Sequence, residues 1–313
     1  MESVISTVVP VFVLIVLGFG AGRFGFFVEG SARGLSTFVF TFAIPAMLFK
    51  AMVTLGIPAS PPWGLWGAFF TTVAIVWILA IAASRFVTGL EGAGGASAAL
   101  GAGFGNTVML GLPLGVAYFG TDALLPMALI ISIHLPVQWF AATLLAQWGS
   151  QTERQGLPAL LRTLAKDLFT NPIVLALLAG SVWNITGFGL HPMADKIVSM
   201  LAQAAVPAAL FALGLSLARF GLMGSGTAAG VLMALKLAVM PAVAAVLAFS
   251  VFDLTPVQAG IVVLFAALPT GANAYIFAER QGAAEAALSA SVAAGTALSI
   301  VTLSIVLALV PHM

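Results

Sequence analysis

The sequence predicts an all-α integral membrane protein with ten transmembrane helices arranged as two inverted five-helix repeats. First, the 313 residues are 61% hydrophobic and only 7% charged, whereas soluble domains contain roughly 25% charged residues. Second, ten apolar segments are long enough to cross a bilayer. Third, short motifs recur between the two halves of the chain at a fixed spacing of 162 residues.

The ten segments follow from the length that a membrane helix requires, which is about 20 mainly apolar residues. They cover residues 4–22, 33–55, 65–87, 96–119, 122–148, 169–189, 196–218, 227–250, 257–278 and 286–310. We predict a first repeat over residues 1–148, a cytoplasmic connector over 149–168 and a second repeat over 169–313. The first segment is too long for a signal peptide and is therefore predicted to be a membrane helix.

Positively charged residues predict the orientation, because Lys and Arg accumulate in cytoplasmic loops. The connections after odd-numbered segments contain Arg23, Arg33, Arg85, Arg154, Arg162, Lys166, Arg219 and Arg280. The connections on the opposite side contain only Lys196. This asymmetry predicts that both termini are extracytoplasmic, and the Ala- and Gly-rich composition favours a bacterial inner membrane.

An internal repeat divides the chain into two similar halves. Residues 44–49 (IPAMLF) recur at 206–211 (VPAALF), so that equivalent residues are 162 positions apart. The same spacing relates Pro10 to Pro172, Gly18 to Gly180, Gly25 to Gly187, Gly64 to Gly226 and Gly120 to Gly282. Because each half has an odd number of segments, the halves must insert with opposite topology. Inverted repeats place a substrate site at their interface near the middle of the bilayer.

The fourth and ninth segments both contain residues that interrupt a helix. Residues 105–113 read GNTVMLGLP, and residues 268–275 read LPTGANAY. Proline removes a backbone donor, and unpaired backbone groups in hydrocarbon are costly unless protein or water satisfies them. Two interrupted apolar segments at matching places in the halves therefore predict the binding site of a transporter.

The polar and helix-breaking residues of these two stretches are the predicted substrate-binding residues. They are Asn106, Thr107, Gly111 and Pro113 in the fourth segment and Pro269, Thr270, Gly271 and Asn273 in the ninth. The asparagines could bind ligand or cap a half-helix, and the threonines could bind ligand or their own backbone. The glycines and prolines more plausibly shape the cavity. A half-helix that begins at this depth favours an anion at its N-terminus, so we expect a small organic anion.

Three further polar residues lie deep in predicted helices. Lys236 is about ten residues into the eighth segment, where an ionisable group is a functional candidate. It could neutralise a bound anion or bond a backbone carbonyl. His134, with Gln138 one turn later, could titrate during coupling or serve as a hydrogen-bonded structural residue. No carboxylate lies near the middle of a segment, so an acidic sodium or proton site is not supported.

Several classes of function are disfavoured. The chain has no cysteine and therefore no thiolate metal site or cysteine nucleophile. We find no metal-ligand cluster, phosphate-binding loop or nucleophile elbow, so neither an enzyme nor a cofactor is expected. The net charge of +1 gives no reason to expect a nucleic acid partner. The expected partners are the organic anion and the lipid bilayer.

The chain resembles the auxin efflux carrier family, which includes plant auxin carriers and bacterial permeases for malonate and related organic acids. The resemblance rests on residues 44–49, on 105–113 with YFG at 118–120, and on 269–278 (PTGANAYIFA). It implies broken fourth and ninth helices that cross at the substrate site, with Asn106, Pro113, Pro269 and Asn273 at the crossing. It also implies elevator-like movement of a transport domain against a scaffold.

The connector between the halves is about 20 residues long, whereas many plant members of that family have a long cytosolic loop there. The resemblance therefore implies a compact bacterial-type permease, which moves a mono- or dicarboxylate such as malonate. Three points stay open at this stage: a sodium-coupled symporter of the bile-acid type, a membrane sensor or scaffold that does not transport, and assembly as a homodimer.

Overall fold

A computed structural model describes residues 2–28, 30–55, 61–148, 156–220 and 226–310. Helical stretches that follow one another without a gap share one label. The helices are α1 (Glu2–Arg23), α2 (Ser31–Thr54), α3 (Trp63–Thr88), α4 (Ala93–Gly103), α5 (Thr107–Phe119), α6 (Thr121–Trp148), α7 (Leu157–Thr170), α8 (Pro172–Ile185), α9 (Pro192–Leu217), α10 (Gly226–Ser250), α11 (Pro256–Ala267), α12 (Ala272–Gln281) and α13 (Glu285–Leu309). These ranges contain no strand, which confirms the predicted all-α class.

Seven helices in the described ranges are long and apolar enough to cross a membrane, namely α1, α2, α3, α6, α9, α10 and α13. Helices α7 and α8 meet at a bend of 58° and would count as an eighth span if taken together. The predicted fourth segment is divided into α4 and α5, and the predicted ninth segment into α11 and α12. The count of ten spans stays a prediction.

Widened π-helical turns interrupt three helices just before a proline. The turns cover Val39–Ala43, Thr107–Gly111 and Leu235–Val239, and the prolines are Pro45, Pro113 and Pro241. Proline has no N–H and cannot donate to the carbonyl four residues before it. The residue just before the proline donates to the carbonyl five residues earlier, which is the π-helical pattern. In α5, for example, the Leu112 N–H donates to the Thr107 carbonyl. Lys236 lies within the third of these turns.

Two pairs of helices approach through glycine. In the contact of α1 with α9, a Cβ added to Gly18 would overlap the Phe211 carbonyl. In the contact of α2 with α8, a Cβ on Gly180 would lie 2.7 Å from the Phe49 carbonyl oxygen. Gly18 and Gly180 are 162 residues apart, as are Phe49 and Phe211. The two contacts therefore pair equivalent residues of the predicted repeats.

The short helices α4 and α11 form the centre of the molecule. Every residue from 94 to 103 in α4 and from 259 to 267 in α11 is buried, and a helix that is apolar on all sides belongs in a core. By contrast, α7, which lies in the predicted connector, exposes most of its residues. Residues 149–155 of that connector lie outside the described ranges. The ends of α4 and α11 are thus enclosed by the rest of the protein.

Candidate functional site

The chain leaves its helical path at the ends of α4 and α11, and the two extended stretches pair with each other. The Asn106 N–H donates to the Pro269 carbonyl, and the Gly271 N–H donates to the Phe104 carbonyl, each at 2.9 Å between nitrogen and oxygen. The pairing is antiparallel and follows the pattern of a two-stranded ladder. It satisfies backbone groups that the broken helices leave unpaired, as the interior of a membrane protein requires.

Small residues make this close pairing possible. Gly105 and Thr270 face each other at its centre. A Cβ on Gly105 would lie 3.0 Å from the Phe265 carbonyl oxygen, and a Cβ on Gly271 would lie 2.8 Å from the Phe104 ring. Pro269 supplies a carbonyl acceptor and needs no partner for an N–H. The predicted helix breakers of the ninth segment therefore shape the break directly.

The stretch 104–106 is called the first break and the stretch 269–271 the second break. Thr270 fastens the second break to the rest of the core. Its side chain is 1% exposed. The hydroxyl donates to the Gly101 carbonyl at 3.0 Å and lies 3.0 Å from the Ser291 hydroxyl. A side chain that is buried and hydrogen-bonded in this way holds the two breaks and α13 together.

Asn106 and Asn273 are both partly exposed beside the pairing. Asn106 Oδ1 accepts from the Met109 N–H at 3.3 Å, so the residue caps the start of α5. Asn273 is in the first turn of α12, two residues after Gly271. Within the described ranges, neither side-chain amide nitrogen has a hydrogen-bond partner. Both amides therefore keep donors that a ligand could use.

The other predicted residues of the fourth segment are buried in α5. Thr107 is the first residue of the helix and is 2% exposed. A Cβ on Gly111 would lie 2.5 Å from Leu268 Cδ1, so this glycine lets α5 pack against the second break. Pro113 is the second residue of the regular helix after the π-helical turn, a position that proline tolerates.

The ammonium group of Lys236 lies next to the paired breaks. Its Nζ donates to the Ala266 carbonyl oxygen at 2.5 Å and lies 3.2 Å from Met240 Sδ. A Cβ on Gly105 would be 3.4 Å from Nζ. The side chain is completely buried, so its nitrogen lies against the pairing rather than in solvent.

His134 lies against the first break. Its ring stacks on Phe104 with centroids 4.4 Å apart, and Nδ1 is 2.9 Å from Gln138 Nε2. Among the described residues, four buried side-chain atoms lack a hydrogen-bond partner within normal bonding distance and angle, namely His134 Nε2, Gln138 Oε1, Trp77 Nε1 and Ser97 Oγ. The Gly105 backbone is nonetheless close enough to the His134 ring to interact with it as a weak hydrogen-bond partner. Buried polar atoms are normally hydrogen-bonded, either to protein or to ordered water.

The structure thus brings most of the predicted site residues close to the paired stretches 104–106 and 269–271. Sequence reasoning missed Phe104 and Gly105, which form the first half of the pairing, and Ser291, which bonds Thr270. Gly105 stands beside Asn106 in the predicted motif, so that signal was present. Ser291 lies in an ordinary apolar helix and gave no signal.

Helix ends of both signs meet at the pairing. Helices α5 and α12 begin there, and their N-termini favour negative charge. Helices α4 and α11 end there, and their C-termini favour positive charge. Lys236 supplies positive charge on the C-terminal side, at Ala266. The two asparagines lie on the N-terminal side of the pairing.

The sequence is similar to those of known membrane transport proteins. A family model described as "Membrane transport protein" matches residues 3–307. A Rhizobium meliloti (strain 1021) protein named "Putative malonate transporter" is 28% identical over 316 residues, covering 97% of this chain and 95% of the relative.

Two more distant relatives also match over nearly their whole lengths. Auxin efflux carrier component 8 of Arabidopsis thaliana is 24% identical, with 96% of this chain and 95% of the relative covered. An "Uncharacterized transporter" of Methanothermobacter thermautotrophicus is 26% identical, with 95% of each chain covered.

Proposed function

The chain belongs to the membrane transport protein family, that of the auxin efflux carriers, and on that premise we propose that it is a secondary transporter of a small organic anion. Members of this family are transporters rather than enzymes. The chain is accordingly a multi-pass membrane transporter. Its substrate, its mechanism and its placement in a bacterial inner membrane belong to the proposal.

One observation carries the choice of an anion. The backbones of two interrupted helices pair at residues 104–106 and 269–271, so the N-termini of α5 and α12 begin side by side. Each N-terminus carries a partial positive charge, and the side-chain nitrogen of Lys236 lies nearby. The negative C-terminal ends of α4 and α11 also meet at the pairing, where they face Lys236. Since no Asp or Glu is buried in the described ranges, the two N-termini are left for an anion. A carboxylate suits this field better than a cation or a sugar.

We propose that Asn106 and Asn273 contact the anion through their amide nitrogens. Six buried residues complete the site by shaping it and holding it together, namely Thr107, Gly111, Pro113, Pro269, Thr270 and Gly271. Lys236 contributes positive charge from its position beside the pairing, at the end of α11. The amides can bond a carboxylate without themselves bearing charge, so the anion can leave again when the protein changes conformation.

The family relatives narrow the substrate. The name of the Rhizobium meliloti relative refers to malonate, a dicarboxylate, and that of the Arabidopsis relative to auxin, an organic acid. Both names refer to small carboxylates. We therefore propose a mono- or dicarboxylate, with malonate as the first compound to test.

We further propose that transport uses an elevator-type movement of two inverted five-helix repeats. The glycine contacts of Gly18 with Phe211 and of Gly180 with Phe49 support the repeats, because they pair equivalent residues. They also join α1 to α9 and α2 to α8 without intervening side chains. We assign these four helices to a scaffold. The helices around the paired breaks then form the part that moves with the substrate.

Proton coupling is proposed to involve His134 and Gln138. Their unpaired atoms lie next to Phe104 at the first break, and Lys236 is the other ionisable group close to the ring. Exchange of His134 for Gln keeps a polar side chain but removes titration. We expect a flatter pH dependence of transport in this variant, measured in proteoliposomes. An unchanged profile would remove His134 from coupling.

The proposed function is tested by binding and then by transport. Purified protein is heated with malonate, acetate or indole-3-acetate, and with glucose or choline as controls. We expect at least one organic acid to raise the melting temperature and neither control to do so. The stabilising acid should then enter proteoliposomes with saturable kinetics. Binding without transport would instead favour a sensor, and stabilisation by glucose or choline alone would contradict the anion site.

A further inference from the structure

Lys236 has an unusual environment for a buried lysine. It is completely buried, near the middle of α10, and its only hydrogen-bond partners in the described ranges are the Ala266 carbonyl oxygen and Met240 Sδ. No carboxylate in those ranges forms an ion pair with it. A buried ammonium without a counter-ion is costly, so its charge depends on the polar groups around Nζ.

The helix ends around Nζ supply that environment. Ala266 is in the last turn of α11, where carbonyl groups lack partners within the helix. Helix α4 ends close by, and a Cβ on Gly105, just beyond that end, would lie 3.4 Å from Nζ. The C-terminal ends of both half-helices therefore direct partial negative charge toward one point. In transporters with discontinuous helices, such ends and unwound carbonyls coordinate the coupling cation.

We propose that Lys236 is a tethered cation, which fills the place of a bound metal cation at the paired breaks. The inference rests on the proposed transport function and deepens it. The lysine ammonium is a compact charge with three donors on a flexible stem. It satisfies the half-helix ends permanently, so the protein needs neither sodium nor another alkali ion for folding or transport.

The proposal is tested first by chemical rescue of stability. Exchange of Lys236 for Ala opens a space next to the Ala266 carbonyl, whereas exchange for Met fills much of that space without charge. We expect Lys236→Ala to melt at a lower temperature than the parent protein and to be restabilised by propylammonium. Tetramethylammonium, which has no N–H donor, should not restabilise it. Lys236→Met should respond to neither ion.

A lysine elsewhere in the chain provides the matched control. Lys50 is partly exposed, forms an ion pair with Asp195 at 2.9 Å and bonds Ser199. Exchange of Lys50 for Ala removes the same chemical group from a position that water can reach. We expect propylammonium to leave the melting temperature of this variant unchanged. An equal response of both Ala variants would mean that propylammonium acts non-specifically and would overturn the proposal.

Transport provides the second test. Flux through the parent protein should be equal in sodium chloride and in choline chloride. Lys236→Met should transport about tenfold more slowly or worse, which is the scale for losing a hydrogen bond to a charged group. A sodium requirement in the parent, or wild-type stability and flux in Lys236→Met, would overturn the tethered cation. If Lys236→Ala cannot be purified in a folded state, the Met variant and the sodium comparison decide.

The two tests separate this inference from the proposed function. Chemical rescue uses no substrate, so it can succeed even if no organic anion binds. Failure of every organic acid to stabilise the parent protein would contradict the proposed function alone. Failure of propylammonium to restabilise a folded Lys236→Ala variant would contradict the tethered cation alone.

Discussion

Sequence reasoning left two roles open for the asparagines beside the breaks, a helix cap and a ligand contact. Asn106 caps α5 through Oδ1, yet its amide nitrogen has no partner within the described ranges. Asn273 has the same unpaired donor near the start of α12. The cap and the proposed ligand contact would use different atoms of Asn106, so substitution can separate them.

We predict that Asn106 and Asn273 bind one anion. Loss of a hydrogen bond to a charged group costs roughly 1.5–3 kcal/mol, so each exchange for Ala should weaken anion binding about ten- to a hundredfold. If both contact the same ligand, the double variant should deviate from the sum of the single ones. Isothermal titration on purified protein measures this coupling. Strict additivity with normal folding would show two separate sites of action.

A further substitution controls for the cap. Asn106→Asp keeps an oxygen that can accept from the Met109 N–H but replaces the amide donor with negative charge. We expect this variant to melt like the parent protein and to lose anion binding. A loss of stability without a change in affinity would assign Asn106 to the cap alone.

Thr270 is expected to act on stability more than on affinity. Exchange for Val keeps the shape but leaves the Gly101 carbonyl and the Ser291 hydroxyl without this partner. Buried groups left unsatisfied cost about 1–3 kcal/mol each, so the melting temperature should fall clearly. Ser291→Ala should be milder, and the affinity of the folded Thr270→Val protein should stay near that of the parent. A large loss of affinity would instead make Thr270 a ligand.

At the scale of helices, the glycine contacts determine how closely the proposed scaffold packs. A methyl group at Gly18 or Gly180 would meet the backbone at Phe211 or Phe49, which cannot move aside as a side chain can. Overpacking of a core typically costs about 1–3 kcal/mol. We predict that Gly18→Ala and Gly180→Ala both lower the melting temperature, by similar amounts because the contacts are equivalent.

Two glycines near these contacts provide controls. A Cβ on Gly20 would meet only the Phe24 side chain, at 3.9 Å, and a Cβ on Gly189 would meet nothing within 4 Å. Exchange of either for Ala should therefore be nearly neutral in the same melting experiment. Destabilisation by Gly20→Ala equal to that by Gly18→Ala would mean that helix packing is not the cause.

The positions of the helices could be predicted from the sequence better than the breaks between them. The seven long spans follow from apolar length alone, because the bilayer sets that length. In the ninth segment the breakers Pro269 and Gly271 lie in the break. In the fourth, Gly111 and Pro113 lie inside α5, because a π-helical turn accommodates the proline.

Long-range pairing was the part that local sequence could not determine. The pairing is centred on Gly105 and Thr270, which are 165 residues apart, whereas the repeat spacing is 162. The residues that pair are therefore not equivalent positions of the repeat, and the repeat spacing does not predict the pairing. The partner of Lys236 was equally unpredictable, since the Ala266 carbonyl is available only because α11 ends there.

The whole molecule is asymmetric in charge although its halves are similar. Eight Lys and Arg residues lie at or beyond the ends of odd-numbered segments, whereas only Lys196, near the start of α9, lies at the opposite side. The connector helix α7 belongs to the first group, with Arg162 and Lys166 exposed on it. The connection between α8 and α9 belongs to the second group. These two places give the clearest contrast for a test of topology.

We predict that α7 faces the cytoplasm and that the connection of α8 to α9 faces outward, with both termini. Because the chain has no cysteine, single cysteines can be introduced without a background signal. Thr163 on α7 and Gly189 after α8 are both exposed. An impermeant maleimide should label Gly189→Cys in spheroplasts and reach Thr163→Cys only after permeabilisation. A cysteine added after Met313 should behave like the one at 189. The reverse pattern would overturn the orientation and would place the cytoplasmic connector on the opposite side of the membrane.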